Sequence, residues 1–203
     1  SNSLKDKKIY LVTSSVSGEG KTYVAENLSV VFAKSGKKTL VIGADLRRPK
    51  IYADFGFNNL KGLTNHVLGD LALSEVILAS DIENLDVLIS GPIPANPADA
   101  LLTDKFAKMM QKLKEMYDII VIDTPPLGLV ADTLTLMNYS DVNLYVVRQN
   151  YTKEGLLTYI NDMYENKRIE NLHIIFNIFA PYSYRDYLRW IASSIYLNNR
   201  QSF

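Results

Sequence analysis

The sequence predicts an alternating α/β fold, with a mostly parallel central sheet and helices on both faces, on three observations. Six short apolar runs are separated by stretches in which apolar residues recur at helical spacing. One run, "IIVID" at 119–123, lacks the polar alternation of a strand with one wet face, so both its faces are expected to be buried. The polar residues that carry chemistry follow directly on apolar runs. In open parallel sheets, ligands bind beyond the C-terminal ends of the strands.

The elements follow in order. The first strand is expected at 9–12. Val24, Leu28, Val31 and Phe32 then recur at i, i+4, i+7 and i+8, a helix that Gly36 ends. Strands are expected at 39–42 and 85–89. Phe106, Met109, Met110 and Leu113 mark a helix before Tyr117, and a strand follows at 119–122. A strand at 144–147, a helix carrying Leu156, Leu157, Ile160 and Met163, and a strand at 174–176 complete the pattern. Strands alternating with helices of this length imply parallel pairing. No linker, repeat or low-complexity tract divides the chain, so 1–203 reads as one domain with a tyrosine-containing tail at 181–203.

Composition excludes several classes. Lys+Arg and Asp+Glu both total 22, and zero net charge disfavours nucleic-acid binding through a basic surface. With no cysteine, disulfides and thiolate metal sites are excluded. The two histidines, His66 and His173, are far apart and read as structural. No apolar run reaches the roughly 18 residues of a membrane-spanning helix. The opening Ser1-Asn2-Ser3 reads as a cloning remnant, with natural sequence expected upstream.

Residues 15–22 read S-V-S-G-E-G-K-T, matching G-x-x-x-x-G-K-[ST] except that Ser15 stands at the first glycine. The motif follows a strand and opens a helix, the context that gives it meaning. Gly18 and Gly20 permit backbone conformations and close approach that a β-carbon hinders. Successive amides can then point at phosphate oxygens, with the positive end of the helix behind them. Lys21 would reach the β- and γ-phosphates and Thr22 would offer its hydroxyl to Mg²⁺. Ser17, Gly18, Glu19, Gly20, Lys21, Thr22 and Tyr23 are thus the candidate nucleotide-binding segment of a P-loop NTPase three-layer sandwich. The plain alternative is a glycine-rich turn with a surface lysine.

Two carboxylates fall at strand ends. In "YDIIVIDTPP", Asp123 follows four apolar residues, where an unpaired carboxylate is costly. It reads as a Walker B acid, on Mg²⁺ directly or through water. The alternative is a turn aspartate before Pro125 and Pro126. In "TLVIGADLRRPK", Asp45 follows another apolar run, with Arg47 and Arg48 after it. Guanidinium groups suit phosphate or carboxylate recognition, although a solvated basic turn fits the same residues.

Taken together, "SSVSGEGKT", "VIGADLRRPK" and "DIIVIDTPP" resemble the catalytic domain of the bacterial tyrosine kinases of capsule and exopolysaccharide systems, a branch of P-loop ATPases related to partitioning ATPases. "GLTNHVLG" and "GPIPANPADALL" fit the same family, so the likeness covers most of residues 5–180. The resemblance implies catalytic roles for Lys21, Asp45, Arg47 and Asp123, metal contacts from Thr22, Asp45 and Asp123, ATP/ADP and Mg²⁺ as cofactors, and Asn177 near the nucleotide base. It also implies a cytoplasmic domain at the inner face of the plasma membrane, with a membrane adaptor fused upstream or supplied separately. Three departures stand out. Ser17 replaces a frequent Pro. Gly43 replaces the first Asp of D-x-D-x-R, which puts efficient transfer in doubt or shifts its task to Asp45. The E-x-x-R-x-x-R helix that builds rings lies upstream in the family. Only eight residues precede Ile9, so weak self-association is expected of this chain and a ring of the full-length protein.

Four of the 13 tyrosines, Tyr182, Tyr184, Tyr187 and Tyr196, fall in the last 22 residues. The resemblance makes them autophosphorylation sites offered to a neighbouring subunit. Yet Tyr184, Tyr187, Leu188, Ile191 and Ile195 share one helical face, as an ordinary docking stripe would. The leading expectation is an ATP-dependent protein-tyrosine autokinase with protein tyrosine substrates. One alternative is a partitioning-type ATPase switch, disfavoured by Val16 where that class carries a lysine. Another is a weakly catalytic nucleotide-binding scaffold, motivated by Gly43.

Overall fold

The computed structural model describes residues 8–127 and 132–177. Among the described residues seven strands form one sheet: β1 (Ile9–Ser14), β2 (Thr39–Gly43), β3 (Ile77–Ala79), β4 (Leu85–Leu88), β5 (Ile119–Asp123), β6 (Val142–Arg148) and β7 (Leu172–Asn177). Their order across the sheet is β3-β4-β2-β5-β1-β6-β7. Every pairing is parallel except β3 with β4. All six expected strands are present; β3 was not anticipated. It is three residues long and half-exposed, too short for any period to mark it.

Side chains of alternate residues enter two cores. On one face, Leu11, Leu40, Ile42, Ile120 and Ile122 meet α3 (Leu63–Val67), α4 (Leu73–Val76), α5 (Pro97–Leu101), α6 (Asp104–Met116), α7 (Asp132–Met137) and α8 (Glu154–Glu165). On the other, Val12, Val121 and Val146 pack beneath α1 (Lys21–Lys34), and Val41 and Val87 pack with Ile51 of α2 (Ile51–Asp54). Both faces of β5 are therefore apolar, which is why its sequence shows no alternation. In α6, Phe106, Met109, Met110 and Leu113 are all buried, and the Thr103 hydroxyl caps the helix by accepting from Phe106 N at 3.1 Å.

Helix α1 forms where the spacing of Val24, Leu28, Val31 and Phe32 predicts a helix, with smaller residues innermost. Its buried residues are Lys21, Ala25, Ser29 and Ala33, whereas Val31 is 63% exposed. Small side chains let the helix lie close against β1 and β5. Val24, Leu28 and Phe32 only flank that contact. The helix ends through Gly36, at φ 82°, as expected.

The order places β5 between β1 and β2, with Val12 and Gly43 both in register with Asp123. The loop after β1, the turn after β2 and the end of β5 thus converge at one edge of the sheet.

Candidate active site

At that edge Lys21 leads into a buried carboxylate pair. Its Nζ lies 3.3 Å from Asp45 Oδ2 and 3.4 Å from Asp123 Oδ1. Thr22 Oγ1 donates to Asp123 Oδ2 at 2.9 Å. Asp45 and Asp123 are only 6% and 2% exposed. Burial is the main influence on Asp123 and pushes its carboxyl up from the ordinary range. Asp45 pushes the same way, while Lys21 and the Thr22 hydroxyl pull it down. Two buried carboxylates share one ammonium, so the pocket favours added positive charge. An all-oxygen set suits a hard cation such as Mg²⁺.

The loop over this pocket is shaped by its glycines. Gly18 and Gly20 have φ of 93° and 95°. A β-carbon on Gly20 would collide with Asn177 Nδ2, and one on Gly18 would stand 2.8 Å from the Tyr151 hydroxyl. A side chain at either position would displace the residues packed on the outer side of the loop. Ser15, at the motif's first glycine position, is tolerated because its hydroxyl shares a 2.6 Å hydrogen bond with the buried Tyr145 hydroxyl. The segment after β5 is tied to β1: Thr124 N and Oγ1 donate to Val12 O, and Leu127 N donates to Ser14 O at 2.8 Å.

Of the sequence-predicted residues, Lys21, Thr22, Asp45 and Asp123 meet in one place, with Gly18, Glu19, Gly20 and Asn177 in the loop above them and beside it. The Glu19 side chain is fully buried and turned into the loop, where Oε2 accepts from Val16 N at 2.9 Å. Asn177 lies beside the loop and donates to Glu19 O at 2.9 Å. Tyr23 is 66% exposed on the outer side of α1. Arg47 and Arg48 are exposed, and Arg48 N donates to Asp45 Oδ1 at 3.0 Å. Tyr182, Tyr184, Tyr187 and Tyr196 lie outside the described residues. His66 is structural, its Nδ1 2.8 Å from Leu71 O. Among the described residues no cluster of three His, Cys, Asp or Glu side chains forms a separate metal site.

Three surroundings were missed from sequence. Ser90, after β4, donates to Gly43 O at 2.7 Å and occupies the space beside that glycine. Glu26, one turn along α1 from Thr22, has a buried Oε1 without a hydrogen-bond partner among the described residues. Its pKa is pushed up to about 8, first by burial, then by a hydrogen bond and charge from Asp54, then by Asp123. The third is the turn after β6, where Arg148, Tyr151 and Thr152 contact the loop. Its place beyond a strand's C-terminal end was the signal that could have found it.

Known proteins resemble this chain over most of its length. A family model described as an AAA domain matches residues 7–174. Tyrosine-protein kinase YwqD of Bacillus subtilis is 39% identical over 150 residues, covering 74% of this chain and 63% of that protein. Tyrosine-protein kinase CpsD of Streptococcus agalactiae serotype III is 34% identical over 174 residues, covering 85% of this chain and 75% of that protein. The kinase domain of Escherichia coli tyrosine kinase ETK superposes with a TM-score of 0.80 at 29% identity, covering 88% of this chain and 72% of that one. The septum site-determining protein MinD from Pyrococcus horikoshii, complexed with Mg-ADP, superposes with a TM-score of 0.65 at 26% identity, covering 83% of this chain and 68% of that one. The fold is thus that of a P-loop NTPase, and this chain belongs to the bacterial tyrosine-kinase family within it.

Proposed function

We propose that the chain is the catalytic domain of an ATP-dependent protein-tyrosine kinase serving capsule or exopolysaccharide synthesis or export. The observation that carries this reading is the Lys21 ammonium set between the strand-end carboxylates of Asp45 and Asp123, with Thr22 on the same Asp123. Such a set fits Mg·ATP: Lys21 for the β- and γ-phosphates, Thr22, Asp45 and Asp123 for the metal directly or through water, and the amides of 18–22 for phosphate oxygens. A bound Mg²⁺ would neutralise phosphate charge as it is transferred. Arg47 is assigned a share of that neutralisation, and Asp45 the tyrosine proton, because Gly43 offers no carboxylate there. Asn177 borders the loop on the side assigned to the base.

The substrates in this reading are tyrosines, Tyr182, Tyr184, Tyr187 and Tyr196 among them, presented by a neighbouring copy in a ring. Among the described residues no helix is long and apolar enough to cross a membrane. A fused or separate adaptor is assigned that task. The test is incubation with Mg·ATP followed by mass spectrometry of phosphotyrosine. Labelling is expected in the parent and absent in Lys21→Met. ATP hydrolysis with no tyrosine label would replace this reading with a nucleotide switch.

One observation favours a second reading, a scaffold of low catalytic power. A β-carbon on Gly43 would stand 3.2 Å from Ser90 Oγ, so the position of the missing carboxylate is partly taken by a hydroxyl.

A further inference from the structure

The phosphate loop is gripped from outside by a turn that belongs to no recognised motif. Between β6 and α8, Arg148 Nη1 donates to Gly18 O at 2.7 Å and the Tyr151 hydroxyl donates to Ser17 O at 3.0 Å. The Arg148 guanidinium also lies over the Tyr151 ring, 5.0 Å from its centroid. Thr152 Oγ1 accepts from Arg148 N at 2.9 Å, which leaves its single proton for the Glu19 carboxylate it also contacts. The other oxygen of that carboxylate accepts from Val16 N. Asn177 holds Glu19 O from the end of β7.

These bonds have one geometric effect. In a trans peptide the carbonyl of one residue and the amide of the next point in opposite directions. The carbonyls of Ser17 and Gly18 are drawn to the β6–α8 turn and that of Glu19 to the end of β7, the neighbouring strand. The amides of Gly18, Glu19 and Gly20 are thereby turned the other way. Without such restraint, a loop with two glycines would sample many conformations, and binding would have to order it. Glu19 has its own logic. A carboxylate inside an anion-binding loop opposes the ligand unless its charge is satisfied elsewhere, and Val16 N and Thr152 satisfy it.

We infer that Arg148, Tyr151 and Thr152 are positioning residues that hold the phosphate loop in its anion-binding conformation, with Glu19 as the anchor inside the loop. The inference rests on the reading that this loop takes nucleotide phosphates. Loop amides contact phosphate before and during transfer alike, so loosening the grip weakens nucleotide binding and raises KM for ATP more than it lowers kcat.

The test uses the full chain, Mg·ADP by calorimetry, hydrogen exchange of residues 16–22, and thermal melting. Thr152→Val removes the proton donated to Glu19. It is expected to bind Mg·ADP about tenfold more weakly, a typical loss for a hydrogen bond to a charged group. Amide exchange over 16–22 without nucleotide is expected to rise by a similar factor, with exchange in β1 and β5 unchanged. Thr152→Ser restores the hydroxyl and is expected within about twofold of the parent in both measurements. Tyr151→Phe keeps the ring beside Arg148, loses one neutral bond, and is expected to weaken binding about threefold. Parental affinity and parental loop exchange in both Thr152→Val and Tyr151→Phe would overturn the inference. Should Thr152→Val give no cooperative melt, Tyr151→Phe decides alone. Failure of the parent itself to bind Mg·ADP would sink the nucleotide reading, while loop exchange would still report whether the grip exists.

Discussion

The two sides of the phosphate loop are built on opposite principles. Toward the sheet, charged side chains crowd a buried pocket: Lys21 against Asp45 and Asp123, with Thr22 on the same Asp123. Away from it, backbone carbonyls are met one by one by Arg148, Tyr151 and Asn177, and the one buried carboxylate, Glu19, is satisfied by local donors. The inner side holds charge poised for a ligand. The outer side holds geometry, through donors set on the loop's carbonyls. On the reading that this loop takes phosphate, the two sides are expected to fail differently: inner substitutions should remove chemistry, outer ones affinity.

The largest effect expected is at the inner side. Lys21→Met leaves two buried carboxylates facing each other without their cation. Phosphotyrosine formation should fall to background, and stability should drop by about 3 kcal/mol, as when one partner of a buried pair is removed. An unchanged melting temperature would show that the pair does not depend on Lys21. Asp123→Asn makes the sharper contrast. It should also abolish labelling, yet raise the melting temperature of the protein without nucleotide by about 2–4 °C, because it removes a charge that burial opposes while keeping an acceptor for Thr22. A fall in melting temperature would mean that the carboxylate supports the fold and does not strain it.

Gly20 joins the two sides, and Gly20→Ala should break both at once. The residue sits at φ 95° and its new β-carbon would meet Asn177 Nδ2. The conformation alone costs about 1–2 kcal/mol. Combining it with Asn177→Ala should recover part of the loss, measured as a double-mutant cycle of melting temperatures. Strict additivity would show that the two do not touch in solution.

The inner side was legible in the sequence, whereas of the outer side only Glu19 and Asn177 were, for a physical reason. Ser15 to Thr22 form a contiguous motif. Asp45 and Asp123 each follow an apolar strand, so a rule about strand ends finds them. Arg148, Tyr151 and Thr152 lie about as far along the chain from the loop as β6 lies from β1, and nothing in "RQNYTK" shows which carbonyls its donors reach. Only the β1–β6 pairing brings them together. The same limit hid Ser90, which β4 carries to Gly43 through its pairing with β2. The innermost face of α1 did not stand out in the sequence because small residues at 25, 29 and 33 carry less apolar signal than the larger residues flanking them.

Ser90 gives a test of intermediate size. Gly43→Asp alone pushes a β-carbon to 3.2 Å from Ser90 Oγ, so the new carboxylate has little room. Adding Ser90→Ala removes that hydroxyl. If the missing carboxylate limits transfer, the double variant should label tyrosine about tenfold faster than the parent, within the usual range of a placed acid or base. Gly43→Asp alone should gain less. Equal rates in all three proteins would leave Asp45 sufficient for the proton and remove the argument for a weak scaffold.

The smallest effect expected lies just behind the inner pocket, at Glu26, and it separates charge that serves the site from charge that merely sits near it. Its pKa is raised from 4.5 to about 8 by burial, Asp54 and Asp123. The folded chain therefore holds a proton on Glu26 between those values that the unfolded chain has released. Stability from this group is fully present below about pH 4.5, is lost as pH rises toward 8, and changes no further above it. The group is only half-buried, so solvent screening keeps the slope shallow. Glu26→Gln mimics the protonated form at every pH. Its urea midpoint should exceed the parent's at pH 8 and match it at pH 5, with the two curves converging as pH falls. Parallel curves would mean that Glu26 ionises in the folded protein as freely as in water. Glu26 would then count as solvated charge, set apart from Asp45 and Asp123, the two buried carboxylates that Lys21 faces.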